Sequence, residues 1–119
     1  MSLILAVDDT RALRNMLVDC LRGAGHDVIE AADGREALER LREHRPDIVI
    51  TDLNMPVMDG LDFIEEARKG PEGRSLPMLL LTTETAQHLK DRARAVRATG
   101  WIAKPFDPDE ILGLVARLT

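Results

Sequence analysis

The chain reads as an α/β fold: five strand–helix units forming one parallel sheet with helices on both faces. Three observations predict it. Leu3–Val7 and Met78–Leu81 are continuous apolar runs, as expected of strands covered on both sides. Segments with apolar residues at helical spacing lie between such runs. The connections are short, so successive units join by right-handed crossovers into a parallel sheet.

Leu3–Val7 is the first strand. Leu13, Met16, Leu17, Cys20 and Leu21 then mark the buried face of a helix that stops at Gly23-Ala24-Gly25. His26–Ala31 is a weaker second strand. Asp33, with Glu36 three residues on, forms a capping-box variant that opens the second helix, whose inner face is Ala37, Leu38 and Leu41. Ile48–Ile50 is a short β-branched strand, followed by the turn-rich loop Asn54–Gly60, where Met55 and Met58 fill the core side. Pro71–Ser75 reads as a loop and not a domain boundary. After Met78–Leu81, Ala86, Leu89, Ala93 and Val96 form the packed face of a fourth helix, with Lys90, Arg94 and Arg97 opposite. Trp101–Ala103 is a short last strand. Asp107-Pro108-Asp109-Glu110 supplies N-cap, proline at N1 and acid at N3 for the last helix.

At 119 residues the chain fits a single domain, 1–119, with no room for a separate output domain. No apolar run approaches the ~20 residues needed to cross a bilayer, and Met1-Ser2-Leu3 lacks the basic start of a signal peptide. A cytoplasmic monomer that does not engage membrane is expected. Its net charge of −5 argues against unaided nucleic-acid binding, leaving protein partners. The lone Cys20 forms no internal disulfide and reads as an inert core residue.

Five polar residues end or follow strands: Asp8 and Asp9 after the first, Asp52 after the third, Thr82 closing the fourth and Lys104 after the fifth. In an open parallel sheet these carboxyl ends share one edge, where ligands bind. Taken singly, each has an ordinary reading. Asp8 and Asp9 suit a solvated turn before a helix, Asp52 a loop acid, Lys104 a surface charge and Thr82 a plain strand residue. Taken together, three carboxylates repel strongly, by about 4 kcal/mol for a pair ~4 Å apart at an effective dielectric of 20. A hard divalent cation such as Mg²⁺ with oxygen ligands offsets this, and Lys104 brings an amine to the same place. Pro105 biases Lys104 away from helix and admits a cis bond. No glycine-rich phosphate cradle, metal-type spacing among His26, His44 and His88, or GxSxG nucleophile motif is present.

With these residues assembled, the chain resembles the receiver domains of bacterial two-component response regulators, and more narrowly the stand-alone chemotaxis regulators of the CheY type. The motifs are Asp8-Asp9, Thr51-Asp52-Leu53-Asn54-Met55-Pro56-Val57-Met58-Asp59-Gly60, Thr82-Thr83-Glu84 and Gly100-Trp101-Ile102-Ala103-Lys104-Pro105-Phe106, within a likeness running from Leu3 to Leu118. The resemblance, not the spacing, implies the flavodoxin-like (βα)5 three-layer arrangement with strand order 2-1-3-4-5, for which this family is a standard example.

It further implies that Asp52 accepts a phosphoryl group from a CheA-like histidine kinase. Asp9, Asp52 and the Asn54 carbonyl would hold Mg²⁺, with Asp8 acting through water. Lys104 would pair with the phosphoryl oxygens, and Thr82 and Trp101 would form the switch. Trp101 stands where Tyr, Phe or His is more usual, and Thr83 is bulkier than the frequent Ala or Gly. Lys90, Arg94, Arg97 and Trp101 would form the interaction surface for a flagellar motor switch protein or another acidic target, although a plain solvated charged face is the simpler account of the three basic residues. Other readings are a phosphorelay intermediate or phosphate sink, and an Mg²⁺-dependent aspartyl-phosphate phosphatase. Asp52-Leu53-Asn54 lacks the second acid that turnover of phosphoesters needs, so the chain is read as a signalling protein and not an enzyme.

Overall fold

The computed structural model describes residues 1–119. In chain order it contains β1 (Leu3–Val7), α1 (Arg11–Gly23), β2 (Asp27–Ala31), α2 (Gly34–His44), β3 (Ile48–Asp52), α3 (Gly60–Lys69), β4 (Met78–Thr82), α4 (Gln87–Ala95), β5 (Gly100–Ala103) and α5 (Pro108–Leu118). All neighbouring strands pair in parallel in the order β2-β1-β3-β4-β5, as the resemblance implies. Val7 pairs with Ala31 and Thr51, Asp52 with Leu81, and Thr82 with Ala103, so the carboxyl ends finish level along one edge. β3 runs two residues past the β-branched Ile48–Ile50 run because Thr51 and Asp52 still find partners on β1 and β4.

Side chains alternate across the sheet. Leu5, Val7, Val49 and Leu80 pack beneath α2, α3 and α4, whereas Ile4, Ala6, Ile50, Leu79 and Ile102 pack beneath α1 and α5. Both β3 and β4 are buried along their whole length, which explains why their sequences do not alternate in polarity. The caps follow sequence closely. Asp33, Asp59 and Asp107 accept from the backbone N–H groups of Glu36, Asp62 and Asp109, respectively. Glu36 reaches back to the N–H of Ala32 instead of that of Asp33.

Two helices differ from expectation. In α1, Leu17, Val18 and Leu21 reach the core, but Leu13 and Met16 are 42% and 59% exposed and Cys20 is only half-buried. These residues border an open groove of about 690 Å³ with Leu81, Phe106 and Pro108, because this stripe of α1 faces the α5 side of the sheet edge and not the sheet itself. Burial and, less strongly, the charge of Asp109 push the Cys20 thiol pKa up, which lowers its thiolate fraction, although it is not a core residue. In α4, Ala86 and Val96 are the caps and Arg97 lies beyond the helix in the left-handed region at φ 65°.

Ala93 is the only fully buried residue within α4, so apolar packing does little to hold it. Two arginines hold this region instead. Arg92 pairs with Asp62 and Glu65 of α3. Arg68 of α3, only 9% exposed, donates Nη1 to the carbonyls of Gly73 (2.7 Å) and Leu76 (2.6 Å) and Nη2 to that of Arg97 (2.7 Å). It thereby ties the α3–β4 and α4–β5 loops together without a carboxylate partner. Burial, and then the Arg97 charge, draw its pKa down, which is the electrostatic cost of this arrangement.

Replacing Arg68 by Met strands three carbonyls and should cost about 2–4 kcal/mol of unfolding free energy. Arg92→Ala should cost less than about 1 kcal/mol, and that cost should shrink in high salt. Urea melts at two salt concentrations test the contrast. Equal, salt-sensitive losses would show that Arg68 is only another surface ion pair.

Candidate functional site

The level strand ends bring Asp8, Asp9, Asp52 and Lys104 together. Carboxylate oxygens of the three acids lie within 4.8 Å of one another. Asp8 and Asp52 are buried and Asp9 is exposed. Lys104 Nζ donates to Asp52 Oδ1 at 2.8 Å and approaches Asp8 Oδ2 at 3.4 Å. The Lys104–Pro105 peptide is cis. One amine facing three carboxylates leaves the pocket anionic when all are ionised.

Burial raises the Asp52 pKa above its ordinary value, and the charge of Asp8 adds to the effect, while Lys104 opposes it. For Lys104, burial alone would lower the ammonium pKa, but its bonds to Asp52 and Asp8 outweigh that and raise it. An acid already short of compensating charge, beside hard oxygen donors, is suited to a divalent cation. The Asn54 carbonyl accepts none of the protein's backbone hydrogen bonds and is available as a further oxygen donor.

The surrounding chain makes this geometry. Gly60 starts α3 against β3, where a Cβ would lie 2.2 Å from the Asp52 carbonyl oxygen, so the close approach requires glycine. Thr51 Oγ1 donates to that same carbonyl. Thr82 is buried at the end of β4. Its carbonyl accepts from the Lys104 N–H at 2.9 Å, and its Oγ1 accepts from the Glu84 N–H at 3.0 Å. The Asn54 side chain lies at the rim, making a long 3.5 Å contact with Glu84.

Arg14, which periodicity had not singled out, donates Nη1 to the Asp8 carbonyl at 2.6 Å. Gly60 and Asp59 were legible as part of a turn, but the contact that makes glycine obligatory needs the fold. No local sequence signal marks Arg14, because its partners come from another strand and from the loop before its own helix.

Trp101 is half-buried on β5, with Lys90 Nζ 5.9 Å from its ring centroid. Such cation–π contacts are worth about 0.5–1 kcal/mol when exposed. Lys90, Arg94 and Trp101 share one hollow. Arg97 does not join them. Its left-handed backbone places it beyond α4, beside Glu65 and Arg68 in a separate hollow on the α3 side.

The raised Asp52 pKa sets a pH dependence. The native state holds the Asp52 proton more tightly than the unfolded chain, so this group's contribution to stability falls as pH rises from the ordinary carboxylate range through the raised value. Without divalent metal, Asp52→Asn should therefore be more stable than wild type at neutral pH, and the difference should close on acidification through that window. A difference that widens on acidification would mean that Lys104 depresses the Asp52 pKa. Denaturant titrations across the acidic range measure this.

Comparison with known proteins agrees with the fold. The response regulator receiver domain family matches residues 4–116. The chemotaxis response regulator CheY4 of Vibrio cholerae superposes with a TM-score of 0.92 at 44% identity, covering 100% of this chain and 99% of that one. The receiver domain of the sensor histidine kinase PA1611 from Pseudomonas aeruginosa PAO1, solved with a magnesium ion coordinated in its active site cleft, has a TM-score of 0.91 at 28% identity, covering 98% of this chain and 96% of that one. Among curated proteins, the sensor histidine kinase CheAY of Helicobacter pylori is 34% identical over 97% of this chain, which spans 15% of that protein. PhoP of Shigella flexneri is 36% identical over 97% of this chain, which spans 51% of it. The chain thus spans about half or less of these curated relatives. Alignment of nearly its whole length with this family, together with the parallel 2-1-3-4-5 sheet, shows that the chain belongs to the response regulator receiver domain family of two-component signalling.

Proposed function

We propose that this receiver accepts a phosphoryl group on Asp52 from a phosphohistidine of a CheA-like kinase and signals through the α4–β5 surface, in chemotaxis. The observation that carries the reading is the Lys104 ammonium 2.8 Å from Asp52 Oδ1 within a set of three carboxylates. The chemotaxis part draws support from the end-to-end likeness to CheY4.

In the proposed reaction an Asp52 carboxylate oxygen forms a bond to phosphorus as the P–N bond to the kinase imidazole breaks. The imidazole leaves with the electron pair of that bond, and an acyl phosphate remains on Asp52. Lys104 holds charge beside the arriving oxygens. Asp9, Asp52 and the Asn54 carbonyl would hold Mg²⁺. Asp8, with Oδ1 engaged by the Thr10 N–H and Oδ2 facing Lys104, has less capacity to ligate directly. The bound ion would supply charge neutralisation of the phosphoryl oxygens.

The Thr82 hydroxyl, which accepts from the Glu84 N–H, then moves away from it and donates its O–H to a phosphoryl oxygen. Trp101, on the adjacent strand, moves into the space vacated. A phosphoryl group shifts this equilibrium only by its differential affinity for the two arrangements. The hollow formed by Lys90, Arg94 and Trp101 would receive an acidic target, a flagellar motor switch protein in the chemotaxis reading.

Transfer from a panel of phosphorylated histidine kinases should label wild type stoichiometrically and leave Asp52→Asn unlabelled, because the near-isosteric amide cannot act as the nucleophile. Full labelling of that variant would refute Asp52. In the same samples, phosphorylation should change the acrylamide accessibility of Trp101. Thr82→Ala should be labelled yet show little such change, and a full wild-type response in that variant would refute the Thr82 coupling.

A further inference from the structure

We infer that Arg14 is a positioning residue for divalent-cation binding, holding the peptide that joins Asp8 to Asp9 so that both acids meet Asp52. The inference rests on the Mg²⁺ reading above. Arg14 lies one turn into α1 and its side chain is 14% exposed. Nη1 donates to the Asp8 carbonyl at 2.6 Å and Nε to Glu30 Oε1 at 3.0 Å. The guanidinium thus links the first turn of α1, the end of β2 and the β1–α1 loop.

Every polar group of Asp8 is engaged. Its N–H donates to the Ala31 carbonyl at 3.1 Å, Oδ1 accepts from the Thr10 N–H at 2.9 Å, and Oδ2 faces Lys104 at 3.4 Å. The remaining group, the carbonyl, belongs to the Asp8–Asp9 peptide, and Arg14 holds it. This matters most for Asp9, which is exposed and whose carboxylate is placed by the backbone beneath it. Freeing the carbonyl lets the peptide plane rotate, and that rotation displaces Asp9 relative to Asp52.

Charge alone would act differently. Glu30 sits against the guanidinium, so the pair presents little net field to the pocket. Removing an uncompensated cation beside an anionic site would tighten cation binding. Removing a positioning residue weakens it.

Calorimetric Mg²⁺ titration of wild type, Arg14→Met, Arg14→Lys and Glu30→Gln, with metal-free melts of each, tests the inference. Arg14→Met should raise the Mg²⁺ dissociation constant about tenfold, the scale found for residues behind metal ligands. Arg14→Lys keeps the charge but cannot span both partners as the guanidinium does, so it should fall between wild type and Arg14→Met. Glu30→Gln keeps the carbonyl contact and should lose less affinity than Arg14→Met. An Arg14→Met dissociation constant equal to or below that of wild type, with only the melting temperature lowered, would reduce Arg14 to an α1–β2 ion pair and overturn the inference. Should Arg14→Met fail to fold, Arg14→Lys decides: weaker Mg²⁺ binding upholds the role and wild-type affinity overturns it. Absence of saturable Mg²⁺ binding by wild type would remove the underlying metal reading as well, whereas normal wild-type binding with unaltered variants would remove this inference alone.

Discussion

The bond from Lys104 to Asp52, in a pocket that also contains Asp8 and Asp9, is the interaction on which the rest of the arrangement depends. Three carboxylates at the end of a buried sheet repel one another, and the buried pair Asp8 and Asp52 lose hydration. The lysine offsets part of that cost without removing it, which is why burial still keeps the Asp52 pKa above its ordinary value. A pocket left in that state has a standing affinity for positive charge. It also has a carboxylate oxygen beside an ammonium, the two elements that the proposed phosphoryl acceptance requires.

The same bond connects the pocket to the opposite side of the sheet edge. Lys104 follows β5, and its backbone N–H is held by the Thr82 carbonyl. β5 also carries Trp101, which packs against the α2–α3–α4 face with Lys90 above it. A change at Asp52 therefore has a short covalent and hydrogen-bonded route to the proposed interaction surface. α4 contributes little to the core, and the tethers from Arg68 and Arg92 hold this region by polar contacts. An element with few buried apolar contacts opens locally at lower cost than one seated in the core.

Much of this was legible in the amino-acid sequence because it is local. Continuous apolar runs mark β1 and β4, and Asp33 and Asp107 announce helix starts that the hydrogen bonds reproduce. Positions at the ends of strands place Asp8, Asp9, Asp52 and Lys104 at one edge, where the structure brings them together. What was not legible depends on distant parts of the chain. Helical spacing selects a stripe but does not say where the sheet beneath it ends, so it predicts burial of Leu13 and Met16, which are exposed. Spacing likewise continued α4 through Arg97, where the chain leaves the helix and offers its carbonyl to Arg68. Arg14 and Arg68 look like ordinary surface cations until the loops they hold are brought to them.

The most direct measurement is a double-mutant cycle on the central pair: unfolding free energies of wild type, Asp52→Asn, Lys104→Met and the double variant, without divalent metal and at neutral pH. If Lys104 offsets the buried carboxylates, its loss should cost at least about 1 kcal/mol more in wild type than in the Asp52→Asn background, within the range known for contacting charges. Additive effects, agreeing within about 0.5 kcal/mol, would contradict the account, because residues so close would then be energetically independent.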